Sequence, residues 1–229
     1  MEGCAAQLSA GRPMAGADIR AEKRAAAAAS AALVESGMVV GLGTGSTVDE
    51  LLPVLAVRRL DITCIATSPA TETQALALGM VVVPFTDVDR FDLAIDGADQ
   101  VDPAGWLIKG AGGAHTRERI VAAAADRFVV IVSSDKTVDR LHAPVPLELL
   151  EFGLAATLRE LPDAVLRDAP RTPDGGVLAD YHGEVGDPAV LAARLDGAPG
   201  VVAHGLFEPS LVSTVLVARG DEVEMRRID

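Results

Sequence analysis

Met38-Val39-Val40-Gly41-Leu42-Gly43-Thr44-Gly45-Ser46-Thr47 is the stretch on which the reading of this chain turns. An apolar run passes directly into a loop of alternating glycine and hydroxyl residues, and Val48 to Val57 then carries apolar positions at helical spacing. A strand, a glycine loop and a helix start in that order bring backbone amides and the positive end of a helix dipole to one point, which suits an anion. No Lys-Ser or Lys-Thr pair follows at the offset a nucleotide P-loop needs. The third glycine is misplaced for a dinucleotide fingerprint, and the next apolar run ends in Ala66-Thr67-Ser68 without an acidic ribose ligand. Three hydroxyls on so short a loop fit a small monophosphate, although a ligand-free tight turn would use the same glycines.

Working outward, short apolar runs typical of buried strands recur at 38–42, 62–66, 80–83, 93–95 and 128–132, with helical stretches such as 48–57 and 116–125 between them. Residues 17–36 are dominated by alanine, with Asp18 near the start as a cap and Gly37 just past the end as a stop, and read as a helix. This alternation predicts a parallel sheet wrapped by helices. After Pro144 the rhythm becomes strand 145–150, helix 153–161, strands 165–168 and 177–181, helix 188–195 and strand 201–205, the order of a split ferredoxin-like unit. The last apolar run, 212–218, falls outside that unit and is expected to return to the main sheet. The predicted class is therefore α/β: a Rossmann-like, mostly parallel sheet domain over 17–143 and 207–229, a smaller ferredoxin-like α+β domain over 144–206, and a disordered tail at 1–16.

Composition narrows the function classes. Of 229 residues, 49% are hydrophobic and 23% charged, which excludes a disordered chain. A formal net charge of -13 repels nucleic acid and anionic membrane surfaces unless a basic patch intervenes, and the sequence has none. No apolar stretch reaches the roughly 18 residues of a membrane span, and no signal-peptide pattern opens the chain, so a cytoplasmic location is expected. Cys4 and Cys64 form neither a disulfide framework nor a metal-ligand spacing. His115, His142, His182 and His204 are widely spaced, so no metal centre is expected; Trp106 and Tyr181 read as packing residues.

Two further segments carry chemistry. In Ile95-Asp96-Gly97-Ala98-Asp99 an apolar strand runs into two carboxylates, which can bind sugar hydroxyls, share a proton or hold a divalent ion. In Leu107-Ile108-Lys109-Gly110-Ala111-Gly112-Gly113-Ala114-His115-Thr116-Arg117-Glu118 a strand is followed by a cation, a glycine loop and a carboxylate in the first turn of a helix. Lys109 can neutralise developing negative charge, the loop amides can form an anion-binding concavity, and Glu118 is a candidate base. Each has a purely structural explanation when taken alone: Asp-Gly is common turn punctuation, and first-turn acids complement the helix dipole. A count favours chemistry. Of the 20 basic residues only Lys23, Lys109 and Lys136 are lysine. A chain that uses arginine wherever a surface cation suffices retains lysine where a compact ammonium is needed.

Taken together, 41–47, 95–99, 107–114 with Thr116-Arg117-Glu118, and Ser134-Asp135-Lys136 resemble type A ribose-5-phosphate isomerases. The likeness continues through Pro144 to Glu148, Asp174 to Asp180 and Pro199 to Phe207, and so covers the chain from about Asp18 onward. The resemblance implies a cofactor-free, metal-independent aldose-ketose isomerase of the non-oxidative branch of the pentose phosphate pathway, usually a homodimer or a dimer of dimers. It implies Glu118 as the carbon base; for that reaction Lys109 with the loop amides is assigned as stabiliser of the developing oxyanion, and Asp96 and Asp99 as hydroxyl binders that also move protons during ring opening. The implied substrate contacts are Lys23, Thr44, Gly45, Ser46, Thr47, Asp96, Gly97, Ala98, Asp99, Lys109, Gly110, Ala111, Gly112 and Lys136. Gln100, Ala111, His115 and Ser134-Asp135 depart from the family pattern, and Ala111 is expected to crowd the anion loop. A non-catalytic sugar-phosphate sensor, an amino-sugar phosphate deaminase or a coenzyme A transferase of related fold are the rivals; a sensor would need the phosphate loop but no base.

Overall fold

A computed structural model describes residues 18–228, so the tail expected at 1–16, and Cys4 within it, lie outside the described residues. The elements in chain order are α1 (Ile19–Ala31), β1 (Val39–Leu42), α2 (Ser46–Arg58), β2 (Thr63–Ala66), α3 (Pro69–Ala77), β3 (Val81–Val82), β4 (Leu93–Asp96), β5 (Gln100–Val101), β6 (Leu107–Ile108), α4 (His115–Ala124) and β7 (Phe128–Ser133). They continue as β8 (Val145–Leu149), α5 (Leu154–Glu160), β9 (Ala164–Leu166), β10 (Val177–Tyr181), α6 (Pro188–Asp196), β11 (Val201–His204), β12 (Leu206–Phe207), β13 (Thr214–Arg219) and β14 (Glu222–Arg227).

The main sheet has seven strands in the order β14-β13-β7-β4-β1-β2-β3, parallel except for the β13–β14 hairpin. Both of its faces are covered, as a parallel sheet requires. Side chains alternate along β7: Val129 and Ile131 pack into one apolar cluster with α1 and α2, while Phe128, Val130 and Val132 enter the other with Val121 of α4. The chain leaves β1 toward β2 on one side and returns through β4 on the other, so β1 and β4 flank a topological switch point. In open α/β sheets the crevice beyond the carboxyl ends of such strands is where ligands bind.

Strands β8 to β11 form a separate antiparallel sheet in the order β11-β8-β10-β9, the strand order of the ferredoxin-like unit. The run at 212–218 returns to the main sheet as β13, beside β7. A third, three-stranded sheet, β12-β6-β5, was not expected; its strands of two residues each are too short to carry a readable alternation.

One expectation needs correction, and one element is additional. The first helix ends at Ala31 rather than near residue 36, because the chain turns to bury Val34 completely. The freed carbonyls of Ala31 and Val34 accept from the Arg58 guanidinium. Strand β14 was not anticipated, since Glu-Val-Glu-Met-Arg-Arg is largely charged and exposed. Charged side chains are common on an edge strand, where they discourage pairing with a second sheet.

Gly41, in the middle of β1, marks a close approach of α4 to the sheet: a Cβ there would lie 2.5 Å from Val121 Cγ1 and 3.2 Å from Ala94 Cβ. Gly41→Ala is expected to lower unfolding stability by about 1–3 kcal/mol through overpacking, measured as a reduced urea midpoint at unchanged slope.

Candidate active site

The crevice at the switch point is walled by the three loops that the sequence singled out. Lys23, Thr44 to Thr47, Gly97 to Asp99, Lys109 to Gly112, Glu118 and Lys136 together line a cavity of about 240 Å³. That is below the roughly 300–1,000 Å³ of pockets for drug-sized ligands, and suits something smaller. Of the expected site residues only Asp96 is absent from the wall; it lies beneath the cavity, 3% exposed.

Asp96 explains how the loops interlock. Its Oδ1 accepts from the amides of Thr44 at 3.0 Å and Gly97 at 2.7 Å, and its Oδ2 lies 2.8 Å from Lys109 Nζ. Gly43 is glycine because a Cβ at that position would fall 1.9 Å from Asp96 Cγ. The loop continues through Gly45, whose φ of +114° favours glycine, into the start of α2. No side chain caps this helix, so its first amides are open toward the cavity. Lys23 Nζ donates to Ser46 Oγ at 2.8 Å, which brings the α1 ammonium to the same helix start.

Lys109 is 2% exposed and Glu118 5%. The ammonium sits between two carboxylates, 2.8 Å from Asp96 Oδ2 and 3.2 Å from Glu118 Oε2, and also donates to the Gly97 carbonyl. Burial alone would lower the pKa of Lys109, but the attraction of Asp96 and then Glu118 outweighs it and holds the pKa above its ordinary value. For Glu118, burial and then the neighbouring Asp96 charge push the pKa up, against the pull of Lys109. Burial raises Asp96 as well, opposed by Lys109 and the two amides. One cation cannot fully compensate two buried carboxylates. Of the two, Glu118 has the weaker support, because its Oε2 lacks an aligned hydrogen-bond donor while Asp96 has three groups on its oxygens. The first proton that such a cluster takes up as pH falls therefore goes to Glu118.

Asp99 faces the cavity and accepts from the Ala111 amide at 2.9 Å. Lys136 lies on the short turn after β7, 3.7 Å from Asp135. Ala111 is exposed on the loop. His115 is fully buried under the loop, against Gly110, and burial followed by the Arg167 charge lowers its pKa to about 4, so it is a neutral packing residue. Gln100 is accounted for by a pair of hydrogen bonds with the His142 backbone. Among the described residues no group of three or more His, Cys, Asp or Glu side chains is placed to hold a metal ion.

Some supporting residues escaped the sequence reading. Glu22 is 1% exposed and accepts from the amides of Ser134 at 2.7 Å and Gly220 at 3.0 Å, fastening α1 to the turn that carries Lys136. These amides lower its pKa even though burial acts in the opposite direction as the largest influence. A signal was present: Glu22 falls on the stripe Glu22, Ala26, Ala27, Ser30, Ala31 that α1 buries, and an acid on a buried stripe needs a partner. Thr67 meets Thr44 hydroxyl to hydroxyl at 2.8 Å, and Thr71 donates to the Gly43 carbonyl at 2.9 Å; nothing in the sequence marks either.

Lys109→Met should leave Asp96 and Glu118 facing each other without a cation. Their native pKa values would then lie further above the unfolded ones, so the native state binds more protons and stability falls as pH rises. The expected loss is about 3 kcal/mol at pH 8 and smaller at pH 5, measured by urea unfolding at both; a loss independent of pH would contradict this electrostatic reading.

The model of the family described as ribose 5-phosphate isomerase A (phosphoriboisomerase A) matches residues 63–222. The chain is 44% identical over 228 residues to the ribose-5-phosphate isomerase A of Gluconobacter oxydans, covering 92% of this chain and 98% of the relative. Its fold superimposes on ribose 5-phosphate isomerase A from Methanocaldococcus jannaschii with a TM-score of 0.84 at 32% identity, over 90% of this chain and 98% of the other. It matches a D-ribose-5-phosphate isomerase solved in complex with phospho-erythronic acid with a TM-score of 0.86, also at 32% identity, over 92% and 99%. Sequence and fold thus agree, and the chain belongs to the ribose 5-phosphate isomerase A family.

Proposed function

We propose that the protein interconverts D-ribose 5-phosphate and D-ribulose 5-phosphate by moving a proton between C2 and C1 through an enediolate. The observation that carries this reading is Glu118: a carboxylate only 5% exposed that lines the cavity, with its Oε2 buried 3.2 Å from the buried Lys109 ammonium. A base with a raised pKa is matched to proton transfer near neutral pH. After ring opening, Glu118 takes the proton from C2, and Lys109 with the loop amides stabilises the charge that develops on the adjacent oxygens. The hydroxyl proton passes from O2 to O1, and as the C2 carbonyl forms the same carboxyl delivers its proton to C1. Asp99, on the cavity wall, binds hydroxyls and moves a proton during ring opening. Asp96 acts through Lys109, which it holds at 2.8 Å.

The phosphate is bound by Thr44 to Thr47 at the open start of α2, with Lys23 and Lys136 as counter-ions. Held there, it supplies binding energy remote from the reacting carbons and aligns them with Glu118. A relative of the same fold holds phospho-erythronic acid, which combines a phosphate with an acid group at the other end of a short chain, and this supports a site with two anion-binding poles. Residues 17–143 with 207–229 form the catalytic domain in this reading, and 144–206 the small domain, supported by the separate β8–β11 sheet. Self-association into a dimer or a dimer of dimers accompanies it, supported by exposed apolar side chains on the small domain, among them Phe152, Val165 and Leu166. No helix among the described residues is long and apolar enough to cross a membrane. We place the activity in the cytoplasm, where a phosphorylated sugar is retained.

Purified protein in excess chelator is expected to convert ribose 5-phosphate to ribulose 5-phosphate, and Glu118→Gln to lower kcat by about 100-fold or more with an intact fold. Turnover near the wild-type rate in that variant would remove Glu118 from the role of base.

A further inference from the structure

The third loop of the site is gripped from outside by the antiparallel sheet. Arg167 follows β9 directly, and its Nε and Nη2 donate to Asp180 Oδ2 and Oδ1 on β10 at 2.8 and 2.6 Å. This two-pronged pairing fixes the plane of the guanidinium. Its remaining nitrogen, Nη1, donates to two backbone oxygens of the site loop, Gly110 O at 3.0 Å and Ala111 O at 3.1 Å. Both charged side chains are largely buried, 17% and 20% exposed, which strengthens the contact relative to one in open water. A lysine could not reproduce it, since a single ammonium has no rigid fork to span a carboxylate and two carbonyls.

Peptide geometry turns this grip into a constraint on the site. In a trans peptide the carbonyl and the following N–H point in opposite directions. The Gly110–Ala111 peptide is therefore pinned at both ends, its oxygen by Arg167 and its N–H by Asp99 Oδ2 at 2.9 Å. The next peptide also has its oxygen on Arg167, so the Gly112 N–H is turned to the side of Asp99 and of the cavity that Gly112 lines. We propose that Arg167 and Asp180 are positioning residues for the reaction: from the small sheet they orient two consecutive loop peptides so that the Gly112 N–H donates to the oxygen on which negative charge develops. The inference rests on the isomerase reading and assigns to that site a donor and the pair that aims it.

The test uses the whole protein with Arg167→Lys and, separately, Asp180→Asn. Four quantities are read: kcat and KM for ribose 5-phosphate, affinity for phospho-erythronic acid, affinity for inorganic phosphate, and the urea midpoint. The acid group of phospho-erythronic acid stands in for the enediolate oxygens, whereas inorganic phosphate probes only the other pole. Arg167→Lys is expected to lower kcat and phospho-erythronic acid affinity by about tenfold or more, because small misplacements of an aligned donor are costly. KM and inorganic phosphate affinity should stay within about twofold of wild type. Asp180→Asn leaves the guanidinium present but unpinned; it should show the same pattern at smaller amplitude, and it carries the test if Arg167→Lys does not fold. Wild-type kcat and phospho-erythronic acid affinity in the variants would overturn the proposal. So would a parallel fall of both affinities with the urea midpoint, which is the mark of a merely structural contact. A failure of the isomerase reading itself looks different, because the wild-type protein would then not turn over ribose 5-phosphate.

Discussion

A single buried ammonium, that of Lys109, holds this site together. It lies between Asp96 and Glu118 where water cannot screen it, so each of the three groups is tolerable only in the presence of the others. The consequences spread outward along the chain. Asp96 must reach Lys109 and also cap the amides of Thr44 and Gly97, so residue 43 has no room for a side chain. Lys109 must arrive at the end of a strand, and the two-residue β6 provides it between β5 and β12. Glu118 must sit in the first turn of α4, whose close packing on the main sheet is set by Gly41. Gly41 and Gly43 are thus places where a neighbour comes too near for a Cβ, whereas Gly45 meets no neighbour and serves through its positive φ.

Charge is distributed to match. The chain carries a formal net charge of -13, yet its three lysines all line one cavity, with Lys23 at the open start of α2. An acidic surface repels nucleic acids, while the cavity sets three lysines against Asp99, Glu118 and the underlying Asp96 and so is locally far less negative than the chain as a whole. Arginine serves elsewhere, as at Arg117 with Asp174, Arg58 on the carbonyls after α1, and Arg167 with Asp180, all of them contacts in which a planar fork is useful.

How much of this could be read in the sequence depended on whether the partners lay close along the chain. Strand, glycine loop and helix start are contiguous at 39–58, so that unit was legible, as were the alternation of strands and helices before Pro144, the ferredoxin-like order after it and the return of the final apolar run to the main sheet. The wall of the cavity was legible because all of its residues but Lys23 sit on a motif, and Lys23 is one of only three lysines in the chain. What remained hidden depends on distant partners. Glu22 finds its donors 112 and 198 residues away, and Arg167 reaches back 57 residues to Gly110. The end of α1 was misplaced because burial of Val34, a tertiary demand, stops the helix before its alanines and Gly37 would. Asp96 could be identified as a site residue but not placed beneath the cavity, since that depends on which of two acids faces Lys109.

The account depends most directly on the protonation of Glu118. Its carboxyl carbon can be followed by 13C NMR in protein labelled at glutamate, with Glu118→Gln used to assign the signal. A titration midpoint far above the ordinary glutamate value of about 4.3, displaced toward about 8, is the result expected for a base raised by burial and by Asp96. A midpoint at or below the ordinary value would mean that Lys109 fully neutralises this carboxylate, and the proton-transfer role built on it would fall.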